Sequence, residues 1–530
     1  MKRLFILLLI LMLLLSGCGK ETEDIVVSET SVVYGGVLNL SMGSTDTLNP
    51  LLAKNETVRD GLFAVYEPLI AVTAEQELRP VLAESWSFNE DCTSLSVKLK
   101  EGVLWHDGSQ LLARDVVYSV NTIKSDPNSP YAELLRYVSA AAETDAYTVN
   151  FIMTRSYSQL LYSLYFPIIP LNAGDLTSAA IGTGPFLFES YSPGRSLTLS
   201  RFEGYREGSA GFDKVIFSIV RESISAASAF STGGTNAIQG SIFNSGEFAV
   251  RDYDIRRSCG DNFEYIGMNH RRPVFSSATV RSALSSAINR QEVVDGGYGD
   301  MATAANLPFH PLSLSFSPSK ALTNFDIAAA REALFYDGWT DQGSDGVLSK
   351  DFVTYSAPDE EGELAEQRAE NVRLEFTLLV NSENPRRIVA SGIVANQLRA
   401  AGFGVTVEEL DFESYLQRIR SGDFDAFIGG TELGNLYDLE FLLGSDGSQN
   451  YFGYRGEYMD SALAGVASSS GDSFANACGI LQEVFVREQP IAGLAFLDDS
   501  LILAKNIAGG TSPLFHSPFG NVGRWFFAAQ

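Results

Sequence analysis

The sequence predicts an α/β protein of two or three domains, and three observations carry that expectation. About 500 of the 530 residues follow the N-terminal segment, more than one hydrophobic core usually covers. Strand-like alternation and helix-like periodicity take turns along that whole length. A composition of 45% hydrophobic and 19% charged residues is that of a globular chain, not a disordered or fibrous one. Strand–helix–strand units of this size predict parallel sheets covered by helices, with ligands at the carboxyl ends of the strands.

Taken in order, Val37, Leu38 and Leu40 open a strand after Gly35-Gly36. Val58, Leu62, Phe63, Val65, Tyr66 and Leu69 fit one face of a helix. Leu95 to Leu99 alternates as a half-buried strand, and Trp105-His106-Asp107-Gly108 reads as a tight turn. A helical face returns at Val116, Val117, Val120 and Ile123, followed by strands around Tyr147–Met153, Leu197–Leu199 and Val215–Ile219. In the second half, Val280–Ile288 is helical, and Leu374–Val380 alternates as a strand. A helix over Val389–Leu398 stops at Gly402. Strands around Val405 and Phe424–Ile428 flank a helix at Phe412–Ile419, and Phe474–Phe485 forms a later helix. Residues 351–372 are acidic without an apolar period and read as an exposed loop or solvated helix.

The N-terminus has the parts of a secretory signal. Lys2 and Arg3 precede an apolar run over residues 4–15, and Leu15-Ser16-Gly17-Cys18 follows. Twelve apolar residues rise only about 18 Å as a helix, short of a hydrocarbon core of about 30 Å. The tetrad resembles a bacterial lipobox. That resemblance implies cleavage before Cys18 and lipidation of its thiol, with each buried CH₂ contributing about 0.8 kcal/mol to membrane anchoring. Residues 19–35 are polar and acidic and read as a tether, with a short added strand around Val32-Val33.

A net charge of −27 argues against nucleic acid as a partner, since that needs basic patches. The four cysteines, Cys18, Cys92, Cys259 and Cys478, leave at most one internal disulfide once Cys18 is lipidated. The four histidines stand at no metal-ligand spacing, and neither Gly-x-Ser-x-Gly nor His-Glu-x-x-His occurs, so an enzyme, a metal site and a cofactor all lack support. Gly182-Thr-Gly184-Pro185 lacks the third glycine of a phosphate loop, and Pro185 removes a backbone donor. Asp341 to Gly346 begins like a calcium loop, but Phe352 stands where the bidentate Glu is needed.

A series of motifs remains. It runs Asp46-Thr-Leu-Asn-Pro50, Tyr66-Glu-Pro-Leu69, Pro80 to Trp86, Leu99 to Gly108, Ala113 to Ser119, Gly182 to Phe186, Tyr191 to Gly194, Val280 to Leu284, Ala287 to Arg290 and Ala328 to Leu334. In order and spacing this series resembles extracellular solute-binding protein family 5, over about residues 36–510. Members of that family serve ABC importers of dipeptides, oligopeptides, nickel and some sugars or opines. The resemblance implies a two-lobed, venus-flytrap fold of the periplasmic-binding-protein type, with an additional domain on the first lobe. Lobe 1 would take residues 36–70, 182–265 and 505–530, the additional domain 71–181 and lobe 2 266–504. It also implies a monomer that hands a small solute to ABC permease subunits, with an ATPase on the far side of the membrane. A ligand-binding sensor lipoprotein and a secreted hydrolase are the alternative readings.

The resemblance also points to a ligand site. In peptide-binding members a Gly-Trp pair is followed three residues later by an Asp that salt-bridges the α-amino group. Here Gly430 stands at the Trp position and Leu433 at the Asp position. Either Glu432 or Asp438 replaces that carboxylate, or the ligand is not held by an α-amino group. Gly430 and Thr431 beside Glu432, and Asn269 at the start of the second lobe, complete the candidate ligand-binding residues. Arg271 and Arg272 read as hinge-side charges or as attractors of a carboxylate.

Overall fold

A computed structural model describes residues 32–528 apart from Asp46, Ala173, 221–222, 240–251, Cys259, Asp300, Leu314, 320–324, 355–367 and Leu436. The lipobox with Cys18, most of the tether and Cys259 lie outside the described residues.

The N-terminal strand Val37–Met42 has the alternating burial its sequence demands and pairs in parallel with Lys214–Ile219. Ser196–Arg201 and Phe186–Ser192 extend this sheet antiparallel to four strands. A three-stranded sheet lies beside it, with Asp499–Ala504 between Ala237–Gln239 and Tyr253–Ser258. Val32–Val33 does form an added strand, paired with Phe526–Ala528.

Residues between these strands build a second unit. Its antiparallel sheet runs Ala83–Phe88, Ser94–Leu99, Thr148–Met153, Val138–Asp145, with the helix Ala113–Ser125 packed on it. One continuous apolar cluster joins this unit to the first sheet, from Leu38 and Phe217 through Trp105 and Phe151 to Trp525. The two units therefore share a core, and about 25 cal/mol per Å² of apolar burial holds them together.

The third unit is a six-stranded sheet ordered Ala302–Ala304, Ile491–Leu497, Asn262–Met268, Ala426–Glu432, Glu375–Asn381, Gly404–Leu410. Separate apolar clusters cover its two faces. Helix stops behave as their sequences require: Asn384 caps Pro385–Ala401, and Gly402 ends it at φ 101°, a left-handed conformation natural to glycine.

Three expectations need correction. The sheets are mixed or antiparallel, and none among the described residues is wholly parallel: in the six-stranded sheet only Glu375–Asn381 pairs in parallel, with Gly404–Leu410 and Ala426–Glu432. The helix after Asn55 covers only Glu56–Leu62, although all six residues expected on its face are buried. Pro68 disfavours helical backbone at Glu67, and the chain turns into the strand Ile70–Val72. The acidic stretch is partly an antiparallel strand pair, Ser349–Thr354 against Arg368–Arg373, and residues 355–367 between them lie outside the described residues.

The chain passes between the first and third units twice. Tyr253–Ser258 belongs to the three-stranded sheet and Asn262–Met268 to the six-stranded one, and Ile491–Leu497 and Asp499–Ala504 divide the same way. The expected boundaries at 265/266 and 504/505 thus fall a few residues after these sheet changes. The two crossings run side by side, so close that a Cβ on Gly260 would lie 1.8 Å from the Leu497 carbonyl oxygen.

Candidate functional site

Where the three units meet, a cavity of about 660 Å³ opens. The first unit contributes Glu56, Arg59 and Asp60 from the helix Glu56–Leu62, and Asp499 at a strand start. The antiparallel unit contributes Tyr131, Arg136, Tyr157 and Tyr165, and the six-stranded unit contributes Asn262, Glu432 and Asp438. Asp261 enters from a crossing, and His516 from the C-terminal segment. Ser258 pairs with Asp499 and Asn262 with Glu432, so the strand ends at the crossings bring three carboxylates to one wall.

The lining is predominantly acidic. Asp60 is 4% exposed, and its Oδ2 has no hydrogen-bond partner among the described residues. Burial, reinforced by Glu56, holds its carboxyl well above the usual range. Asp499 is pushed up to about 7 by burial, with Asp261, Glu56, Asp498 and Glu432 adding repulsion. Glu432 is raised by desolvation and then by Asp261 and Glu56. Asp261 accepts a hydrogen bond from the Gly434 N–H at 3.3 Å and lies 3.6 Å from His516 Nε2. The His516 ring stacks on Tyr165 with centroids 4.8 Å apart.

The five expected ligand residues separate. Glu432 faces the cavity. Asp438 also lines it, but its Oδ2 accepts from Arg136 Nη2 at 2.5 Å and from the Tyr157 hydroxyl at 2.8 Å. Its carboxylate is thus committed to the antiparallel unit. Thr431 donates to Gln449 Oε1 at 2.7 Å and does not line the cavity. Gly430 makes room for an internal ion pair: a Cβ there would lie 2.2 Å from Glu264 Oε1, which Arg387 holds at 2.7 Å. Asn269 is 1% exposed and donates to the Gly422 and Phe424 carbonyls, so it does not line the cleft as expected. Arg271 bonds Asn269 and the Tyr451 carbonyl, and Arg272 pairs with Asp425 at 3.0 Å, both away from the cavity.

His106 ties the antiparallel unit to the returning chain. Its Nδ1 accepts from the Gly182 N–H at 3.3 Å and its Nε2 donates to the Gly184 carbonyl at 3.0 Å. Burial lowers its pKa, in keeping with that neutral tautomer. A Cβ on Gly182 would lie 1.8 Å from the Val65 carbonyl oxygen, so glycine there answers a close backbone approach and not a phosphate. Asp341 accepts from the Gly346 N–H as in an ordinary turn, and Asp345 pairs with Arg373. Cys92 and Cys478 are buried free thiols.

The model of bacterial extracellular solute-binding proteins, family 5, matches residues 77–453. The chain belongs to this family. The oligopeptide-binding protein AppA of Bacillus subtilis is 23% identical over 95% of this chain and 94% of its own length. Among solved structures, the ABC transporter substrate-binding protein CtaP of Listeria monocytogenes superposes with a TM-score of 0.72 at 22% identity, covering 93% of this chain and 99% of its own. A nickel ABC transporter structure from Bacillus halodurans gives 0.74 at 20% identity, covering 89% and 96%. These neighbours establish the two-lobed periplasmic solute-binding fold. Members of the family are extracellular solute-binding proteins of ABC importers, and among the described residues no helix is long and apolar enough to cross a membrane.

Sequence reasoning missed Glu56, Asp60, Asp261 and Asp499. The signal was faint but present. Asp60 stands one turn after Glu56 and just before the apolar run Leu62 to Tyr66, and Asp498-Asp499 stands at the start of a strand that continues through the apolar residues Leu501 to Ala504.

Proposed function

We propose that the chain captures an oligopeptide-sized solute by lobe closure and delivers it, chemically intact, to the permease of an ABC importer. The observation that carries this reading is the cavity itself. Its walls come from all three units, and its volume of about 660 Å³ lies within the range of small-ligand sites. A solute that touches both sides of such a cleft binds the closed form better than the open one, and that difference drives closure. The oligopeptide class is supported by the relative named as an oligopeptide-binding protein. Leu433 stands where peptide-binding members carry their Asp, so an amino group bound in this cleft would be held by other acids, Glu432 among them.

The protein acts as a monomer, held outside the cytoplasm by acyl chains on Cys18. Acyl anchoring is tested by the Cys18→Ala variant, which is released into the medium while wild type stays with membranes. The receptor role is tested by mass spectrometry of small molecules that copurify with the full chain, followed by their removal and re-addition. Recovery of one solute class that rebinds unaltered supports the reading. Turnover of the solute, abolished by substitution of a single cavity carboxylate or serine, overturns it.

A further inference from the structure

We infer that the cleft is built for a multivalent organic cation, a solute that presents at least two ammonium or guanidinium groups to its carboxylates. The inference rests on the receptor reading above and names the chemistry of its cargo.

Five carboxylates line the cavity without an ion pair to Lys or Arg among the described residues: Glu56, Asp60, Asp261, Glu432 and Asp499. Their countercharges within the lining are few. Arg59 donates through Nη1 to the Ala53 and Lys54 carbonyls, and His516 Nε2 lies 3.2 Å from the Gly434 carbonyl and 3.6 Å from Asp261, with Glu432 also within its electrostatic reach. Arg136 is taken by Asp438 and Glu133. A buried carboxylate without a partner is costly, because desolvation is not repaid.

Two buried oxygens show what is missing. The Asp60 and Gln239 side chains hydrogen-bond each other and Arg59 lies near Asp60, yet Asp60 Oδ2 and Gln239 Oε1 are both buried with no partner among the described residues, and both residues line the cavity. An ammonium brings three N–H donors and a guanidinium five, with no acceptor to be stranded. One such group satisfies this corner between the helix Glu56–Leu62 and the strand Ala237–Gln239. The remaining acids enter from other elements: Asp499 and Asp261 from the two crossings, and Glu432 from the end of Ala426–Glu432. A single ammonium reaches one corner and leaves the rest of the wall uncompensated.

A metal ion is a poorer fit than an extended cation. Among the described residues no three His, Cys, Asp or Glu side chains converge on a point that could hold one. The acids are spread along a wall, which suits a chain of separated charges.

The test is isothermal titration of the full, delipidated chain at pH 7.5 with trilysine, spermidine, trialanine and triglutamate as probes. The expected result is at least tenfold tighter binding of trilysine than of trialanine, with triglutamate not bound. Asp60→Asn and Asp499→Asn should each weaken trilysine tenfold or more. Glu143→Gln, on the exposed strand Val138–Asp145, should leave affinity unchanged. Asparagine replaces a carboxyl that burial already favours in its neutral form, and circular dichroism confirms the fold of each variant. Equal or tighter binding of trialanine, or no binding of either polycation, overturns the inference. If an uncharged solute nonetheless compacts the protein in small-angle scattering, the receptor reading stands without its cationic cargo. If no copurified solute does so, the receptor reading itself fails.

Discussion

Removing the Asp438 charge tests whether this residue latches the lobes or grips the ligand. Its carboxylate belongs to the six-stranded unit, and both partners, Arg136 and Tyr157, belong to the antiparallel unit. Asp438 is 8% exposed in its side chain and Arg136 23%, so the pair is only partly screened by water. Burial raises the Asp438 carboxyl, while Arg136 and the Tyr157 hydrogen bond oppose that rise. A hydrogen bond to a charged group contributes about 1.5–3 kcal/mol. Asp438→Asn keeps the shape and a weaker bond to Tyr157, so a loss of about 2 kcal/mol from the closed form is expected. At about 1.4 kcal/mol per decade this weakens apparent affinity by about 30-fold. The assay is titration calorimetry with several solutes, paired with small-angle scattering of the empty protein. A latch predicts the same factor for every solute, a more open empty form, and a coupling of about 0.5–3 kcal/mol in a cycle with Arg136→Met. Unchanged affinity and unchanged scattering refute the latch, and a loss confined to cationic solutes assigns Asp438 to the ligand instead.

Further outcomes follow from the same physics. Asp499 titrates at about 7 in the folded chain against an ordinary carboxyl value of about 4, so the folded state holds a proton that the unfolded state has lost. Stability of the empty protein should therefore fall as pH rises from 5 to 8, and Asp499→Asn should flatten that slope in thermal melts; a wild-type slope no steeper than the variant's contradicts the assignment. Gly182→Ala drives a Cβ to within 1.8 Å of the Val65 carbonyl oxygen, and should cost about 3 kcal/mol or more, read as a lowered urea midpoint. Glu67→Ala strips the partner from Arg206, Tyr205 and Thr183 at the seam between the first two units. A destabilisation of about 3–5 kcal/mol is expected in the same assay.

Much of the fold was legible because amphipathic elements advertise their period. Leu95, Val97 and Leu99 alternate and form a strand, and the helix Pro385–Ala401 stops at the glycine that ends its pattern. Elements buried on both faces gave no such signal. Ile491–Leu497 lies inside the six-stranded sheet and reads as an unbroken apolar run, and its neighbour Asn262–Met268 is buried on both faces with Glu264 breaking its apolar pattern. Sheet order was illegible for a related reason: mixed pairing depends on which distant strands meet, and not on local period. At the site, Glu432 was found through the motif that surrounds it. Asn269 and Thr431 carried the right residue type, but their hydrogen bonds are spent inside the second lobe. Asp60 and Asp499 lie more than 400 residues apart in sequence and become neighbours of one cavity only through the two chain crossings.

Small-angle scattering of the full chain, stripped of its copurified solute and then resupplied with it, tests the central claim most directly when the released solute is weighed by mass spectrometry. A hinged receptor predicts an extended empty particle that compacts on re-addition and returns its cargo at unchanged mass. A scattering curve indifferent to the solute, or cargo recovered as fragments, would contradict it.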